Sequence, residues 1–125
     1  MKTKTRTLTE QELEIMKVVW ERKAATVREV YEELRERRSV AYTTVMTMMN
    51  VLEDKGYLEK KSNGRAHVYT PTKPRHQVVG AMVRDFVDRV FDGASASLLL
   101  HLAKDSRLTE RQRKAVQRII EEMEE

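Results

Sequence analysis

Residues 41–56 read AYTTVMTMMNVLEDKG, a stretch with the period of an amphipathic helix. Apolar side chains that recur three and four positions apart predict one buried face, made of Val45, Met48, Met49 and Leu52. The opposite face carries hydroxyls, a phenol, a thioether and an amide: Tyr42, Thr43, Met46, Thr47 and Asn50. Gly56 ends the predicted helix. The stretch therefore predicts a helix that is anchored by one face and free for contacts on the other.

The polar face of this helix has the chemistry that DNA recognition uses. Hydroxyls and amides form hydrogen bonds with phosphates and base edges, and apolar groups contact thymine methyls. A solvated helix face would be dense in Lys and Glu instead. We therefore expect five side chains to face the major groove: Thr43, Thr44, Met46, Thr47 and Asn50.

A basic hairpin is predicted directly after this helix. Two extended runs, 57–61 and 66–70, flank the sequence Ser-Asn-Gly-Arg at 62–65. Asn-Gly between extended runs predicts a type I′ turn, because both residues tolerate a positive φ. Lys and Arg gather around the tip, which favours a wing on the DNA backbone. The expected phosphate contacts are Arg38, Tyr42, Lys60, Lys61 and Arg65.

Two capping boxes of the T-x-x-E type, at 9–12 and 26–29, predict the starts of two upstream helices. Trp20, on the first of these helices, is expected to be buried in the core of the domain. The second ends in ELRERRS at 33–39, where Arg35, Arg37 and Arg38 gather. These arginines are expected to interact with the helix dipole or to contact a phosphate, and one arginine can do both. Two helices joined by a brief turn, the later one with a polar contact face, follow the helix-turn-helix plan.

Three helices are predicted after the hairpin. Pro74 suits the first turn of one, a leucine-rich segment follows at 94–103, and a capping box at 109–112 begins the last. Their apolar stripes favour a homodimer over a monomer in which these helices fold back on the N-terminal part of the chain. The residues expected in the dimer interface are Val79, Met82, Val83, Phe86, Val90, Phe91, Leu98, Leu99, Leu102, Val116, Ile119, Ile120 and Met123.

These elements predict a mainly α protein with a small β-hairpin wing. A winged helix-turn-helix N-terminal domain is expected at residues 1–73, and a three-helix C-terminal dimerisation domain at 74–125. Two recognition helices related by a two-fold axis would read the two halves of a palindromic operator in double-stranded DNA.

The charges of the chain are unevenly distributed. The net charge is +4, but residues 1–75 hold 16 Lys and Arg against 11 Asp and Glu, whereas residues 76–125 hold 8 against 9. Lys2, Lys4 and Arg6 are expected to form a short mobile basic arm. A basic front half favours a polyanionic partner.

The sequence lacks the motifs of several functional classes. The chain has no Cys, which excludes disulfides and thiol chemistry and fits a cytoplasmic protein. No apolar run approaches the roughly 18 residues of a membrane span, and no secretory signal is recognisable. His67, His76 and His101 lack the spacing of helical ligand pairs, and no phosphate-binding loop or nucleophile motif occurs. We expect no enzyme activity, no metal site and no cofactor.

Four segments show a resemblance to a known family: LTEQELEIMKVVW (8–20), AYTTVMTMMNVLEDKGYL (41–58), GRAHVYTP (64–71) and FVDRVFDGASASLLLHL (86–102). In this order they resemble the BlaI/MecI family of penicillinase repressors, from about Leu8 to Met123. The resemblance implies a winged-helix N-terminal domain, a helical dimerisation domain and repression at dyad operators.

The same resemblance implies a mode of release. In family members that control β-lactam resistance, a sensor-linked protease leads to cleavage at an Asn-Phe bond after a leucine-rich segment. The matching segment here is Leu98–Leu100, and the corresponding bond joins His101 and Leu102. The Asn-Phe pair is absent. Copper-responsive relatives use C-terminal cysteines, which this chain lacks.

Two other functions remain open from the sequence. The winged helix could be a protein–protein interaction module that uses the region of Met46 and Met49 as an adaptable docking surface. That hypothesis predicts no salt-sensitive binding to duplex DNA. Alternatively, a small-molecule effector at the dimer interface could release the repressor, although no residue identifies such a ligand.

Overall fold

The computed structural model describes residues 7–124, so the predicted basic arm lies outside the described part. These residues form α1 (Glu10–Arg22), α2 (Val27–Arg35), α3 (Tyr42–Asp54), β1 (Leu58–Asn63), β2 (Ala66–Pro71), α4 (Arg75–Val90), α5 (Ser95–Ala103) and α6 (Glu110–Met123). The predicted mainly α protein with a β-hairpin is confirmed. The chain divides into two compact units between Val78 and Val79.

Three helices begin at the capping boxes that the sequence predicts. At α1, the Glu12 amide donates to Thr9 Oγ1 over 3.1 Å, and the Thr9 amide donates to Glu12 Oε1 over 3.0 Å. The same reciprocal pairs occur at 26–29 before α2 and at 109–112 before α6. Each box satisfies two amides that the first helical turn would leave without a partner.

The core of the first unit lies between its helices and the hairpin. It is built from the buried side chains Leu8, Ile15, Met16, Val18, Val19, Ala25, Val30, Leu34, Val45, Met49, Leu52, Leu58, Tyr69 and Val78. Trp20, expected in this core, is only half-buried, and its Nε1 donates to the carbonyl oxygen of Lys73 over 3.0 Å. The indole therefore lies at the edge of the core, where its N–H can reach a backbone partner.

The hairpin pairs in a register that moves the turn by one residue. Asn63 lies opposite Ala66, so Gly64 and Arg65 form the two-residue loop. Gly64 has a φ of +70°, and neither Asn63 nor Arg65 has a positive φ. The predicted type I′ turn at Asn63-Gly64 is therefore wrong. Glycine at the first central position, followed by a residue of negative φ, is the pattern of a type II′ turn.

A backbone bridge joins the hairpin to the segment between α1 and α2. The Ala25 amide donates to the Tyr69 carbonyl over 3.0 Å, and the Tyr69 amide donates to the Ala25 carbonyl over 2.8 Å. Because Tyr69 is 2% exposed, this bridge holds a buried part of β2. The hairpin is thus fixed against the helices at its base.

The second unit contains little core of its own. Among the described residues, 16 apolar side chains are buried, and only Val87 and Ile120 lie after Val78. Helix α5 packs on α6 and contributes no buried side chain. An element that buries so little apolar surface has low stability by itself.

Candidate nucleic-acid interface

Helix α3 has the two faces that its sequence predicts. Val45, Met49 and Leu52 are completely buried, and Met48 is half-buried. The opposite face is exposed at Tyr42, Thr43, Thr44, Met46 and Thr47. Because Met49 is buried, the alternative docking surface retains only Met46 of its two methionines.

Asn50 differs from the other residues predicted to contact bases, because it is half-buried and bonded to the hairpin. Its Oδ1 accepts a hydrogen bond from the Tyr69 hydroxyl over 2.9 Å and one from Lys60 Nζ over 3.4 Å. Burial raises the pKa of the Tyr69 hydroxyl above its ordinary value, so the group is a donor at neutral pH with or without this shift. Lys60 Nζ also lies 3.7 Å from Glu53 Oε1, so this lysine is engaged within the protein.

Arg38 is also engaged. It is half-buried, and it donates to Glu14 Oε1 from Nη2 over 2.8 Å and from Nε over 3.2 Å. These hydrogen bonds raise the pKa of the guanidinium. The contact joins the segment before α3 to α1. This role differs from both sequence-based interpretations, the interaction with the helix dipole and the phosphate contact. Its phosphate contact stays a prediction, and only the donors that Glu14 leaves free could make it.

Arg28 is a cation that the sequence reasoning missed. Its guanidinium carbon lies 5.3 Å from the centre of the Tyr42 ring, and Tyr42 meets Tyr31 edge-on at 5.5 Å. Arg28 also forms an ion pair within α2, with Nη1 3.6 Å from Glu32 Oε2. The missed signal was position, since the first turn of α2 lies beside the start of α3 in a helix-turn-helix.

A groove of about 460 Å³ runs between α2, α3 and the hairpin. It is lined by Thr26, Val27, Arg28, Tyr42, Met46, Asn50, Lys60, Arg65, Ala66, His67 and Tyr69. The structure thus brings three cationic side chains, Arg28, Lys60 and Arg65, to the groove beside the exposed face of α3. Positive charge in a groove beside a helix surface favours an anionic backbone.

Lys61 and Arg65 are exposed and make no ion pair within residues 7–124. Lys61 pairs with Val68 in the hairpin register, whereas Lys60 pairs with Tyr69. Because neighbouring strand residues point to opposite faces, Lys60 turns toward α3 and Lys61 turns away from it. Of the predicted hairpin cations, Lys61 and Arg65 are therefore the ones available for new ionic contacts.

The comparison with known proteins gives the chain its family. Residues 8–122 match the penicillinase repressor family. The chain belongs to that family. A penicillinase repressor from Bacillus licheniformis is 29% identical over 115 residues, which cover 92% of this chain and 90% of that protein.

Solved structures of BlaI repressors match more than half of this chain. The DNA-binding domain of the repressor BlaI is 34% identical, with a TM-score of 0.53, over 59% of this chain and 90% of that one. The monomeric form of Bacillus licheniformis BlaI, in complex with the blaP half-operator, is 35% identical. Its TM-score is 0.50, and the match covers 55% of this chain and 84% of that one. The winged-helix prediction is thereby confirmed.

The residues predicted to form the dimer interface differ in exposure. Six are exposed in the single chain: Val83, Phe86, Val90, Leu102, Ile119 and Met123. Six are half-buried: Val79, Met82, Phe91, Leu98, Leu99 and Val116. Ile120 is buried at 8% exposure. Of the nine large apolar side chains exposed in the described chain, seven lie after Val78.

Residues 7–124 contain neither a metal-binding cluster nor a membrane-spanning helix. No group of three His, Cys, Asp or Glu side chains in that range is placed to hold a metal ion. None of the helices described there is long and apolar enough to cross a membrane.

Proposed function

We propose that this chain is a homodimer that occupies palindromic operators through α3 and the hairpin. Membership of the penicillinase repressor family supports the coarser part, a DNA-binding transcriptional repressor of the BlaI type. The single observation that carries the DNA contact is the exposed surface of α3 from Tyr42 to Thr47, which holds three threonines and no charged side chain. Threonine hydroxyls and methyls suit base edges and thymine methyls. Arg65 lines the groove beside that face, and the free cations of Arg65 and Lys61 on the hairpin suit phosphates. The cytoplasm stays the predicted compartment.

Dimerisation is supported by the unpaired apolar surface of the second unit. Phe86, Val90, Ile119 and Met123 are between 42% and 52% exposed. Large exposed apolar patches are uncommon on monomers and mark association surfaces, and these four side chains lie on α4 and α6 of one unit. A two-fold dimer would bury the same patch on both chains and place two copies of α3 on two half-sites.

Release by proteolysis is a further part of the proposal, at the bond between His101 and Leu102. Both residues are exposed and lie within α5. A bond inside a helix is cleaved only after local unfolding, and α5 has no buried side chain to oppose it. A sensor-linked protease is the proposed partner. Release by a small-molecule effector is favoured by no observation.

The proposal is tested by binding to duplex DNA from the region upstream of the gene. Its affinity is compared with that for a scrambled duplex at two salt concentrations, and the number of subunits per duplex is measured. Preferential binding that survives at the higher salt, with two subunits per duplex, is expected. Equal affinity for the two duplexes at both salt concentrations would exclude sequence-specific recognition of this duplex. One subunit per duplex would exclude the dimer.

We expect Thr47→Ala to weaken binding to the preferred duplex more than binding to the scrambled one. The substitution removes the exposed hydroxyl and methyl of Thr47. A bidentate base contact is worth about 1–3 kcal/mol of discrimination, which is the upper bound for this single hydroxyl. Titration of both duplexes with wild type and variant gives the ratio. Equal weakening of the two affinities would remove Thr47 from the base contacts.

We expect Lys61→Ala to flatten the dependence of log K on log salt concentration, by about 0.9 for each phosphate that the lysine neutralises. Lys17→Ala is the matched control, because Lys17 is also exposed but lies on α1. Binding is measured at four or more salt concentrations. A slope that changes equally in both variants would show a general charge effect and no contact at Lys61.

A further inference from the structure

The side-chain oxygen of Asn50 is already saturated in the protein. The Tyr69 hydroxyl and Lys60 Nζ both donate to Oδ1, over 2.9 Å and 3.4 Å. An amide oxygen has two lone pairs, so both of its acceptor positions are used. Within residues 7–124 the Nδ2 group makes no hydrogen bond. Asn50 therefore offers donors and no acceptor at the face of α3.

The orientation of this amide is fixed by the groups around it. An ammonium group only donates, so the atom that faces Lys60 must be the oxygen. Lys60 is held by Glu53 and lies 5.8 Å from the centre of the Tyr69 ring. Tyr69 is buried and bridged to Ala25 by two backbone bonds. A flipped amide would set its NH₂ group against the ammonium, which would both cost a hydrogen bond and bring donors together.

We infer that Asn50 reads DNA as a donor only, and that it selects guanine over adenine at one position of each half-site. The inference rests on the proposed function, in which α3 enters the major groove. The usual asparagine contact to adenine needs an oxygen to accept from N6 and an NH₂ group to donate to N7. Here that oxygen is taken. Guanine presents the acceptors N7 and O6 side by side, whereas adenine presents a donor next to N7.

Tyr69 is by this inference a positioning residue for base selection. It is buried behind Asn50 and acts through it, since its hydroxyl occupies one lone pair of Oδ1. Removal of that hydroxyl frees an acceptor position while the ring still fills the core. Tyr69→Phe should therefore lower the preference for guanine over adenine.

The test uses the full chain and the upstream duplex that it prefers. Each guanine of one half-site is replaced in turn by 7-deazaguanine, which lacks N7, or by 6-thioguanine, whose sulfur is a weak acceptor. Hypoxanthine, which keeps N7 and O6, is the control base. One guanine is expected at which an analogue weakens wild-type binding about fivefold or more. The same analogue should change the binding of Asn50→Ala less than about twofold.

A second variant separates base selection from a structural role. Tyr69→Phe is titrated against duplexes with guanine or adenine at the identified position, after thermal unfolding shows that it is folded. A merely structural role would weaken both affinities by the same factor. We expect instead a smaller ratio between them, and an unchanged ratio would overturn the positioning role.

The outcomes distinguish this inference from the proposed function. Equal wild-type binding to the upstream and scrambled duplexes overturns both. Preferential binding that no guanine analogue weakens overturns the inference alone. A third outcome would also overturn the inference alone. If removal of an adenine N6 amino group weakens wild-type binding but not the binding of Asn50→Ala, the Asn50 oxygen accepts a hydrogen bond from that adenine.

Discussion

Met49→Ala should lower the free energy of unfolding of the first unit by about 2–5 kcal/mol, the largest effect that we expect on α3. Met49 is completely buried, so the truncation leaves a cavity and removes apolar contacts from the core. Met and Ala have similar helix propensities, so the change acts through packing. Trp20 is the only tryptophan and lies at the edge of this core, so its fluorescence reports the unfolding. Protein concentration must be held constant, because the stability of the proposed dimer would depend on it.

Met46→Ala is the matched control, because Met46 lies one turn earlier on the same helix and is 39% exposed. Its stability should change by no more than about 0.5 kcal/mol. Its affinity for the preferred duplex should fall, since the side chain lies on the proposed contact face. Met49→Ala, at a temperature where it stays folded, should keep its discrimination between duplexes. Equal destabilisation by the two substitutions would contradict this division of α3 into a core face and a contact face.

Lys55→Met should lower the free energy of unfolding by about 3 kcal/mol, because it leaves the Glu12 carboxylate without its ion-pair partner. Lys55 Nζ donates to Glu12 Oε1 over 2.8 Å, and only 7% of the Glu12 side chain is exposed. The value lies at the lower end for a buried pair because 18% of the Lys55 side chain is exposed. Denaturant titration of the full chain measures it.

The double variant Lys55→Met with Glu12→Gln is the control for that result. Glutamine removes the unpaired charge and can still complete the capping box with Thr9. We expect it to recover most of the stability, which a double-mutant cycle would show as a coupling between the two positions. A double variant as unstable as Lys55→Met alone would mean that the destabilisation came from packing of the lysine stem.

The effect of Lys55→Met should depend on pH. Burial alone would raise the pKa of Glu12, but hydrogen bonds from Lys55 and Thr9 outweigh it and hold the pKa below its ordinary value of 4.5. A lowered pKa in the folded state adds stability above the unfolded pKa, and this is lost as the pH falls through the folded value. The difference between wild type and variant should therefore be full at pH 7 and shrink below about pH 4.5.

The sequence predicted the elements that depend on neighbouring residues. The boxes at 9–12, 26–29 and 109–112 were confirmed because each joins two residues three positions apart. The two faces of α3 followed from a helical period within 13 residues. The turn was placed one residue early because Asn-Gly and Gly-Arg both allow a hairpin. The pairing along both strands decided between them.

By itself, the sequence determined the family, the helix starts and the polar face of α3, because these are local patterns of residue type. Only the tertiary structure decided which polar groups are already bonded. Tyr69 reaches Asn50 across 19 residues, Arg38 reaches Glu14 across 24, and Lys55 reaches Glu12 across 43. A hydrogen bond depends on where two atoms meet after packing, and no spacing along the chain specifies that meeting point.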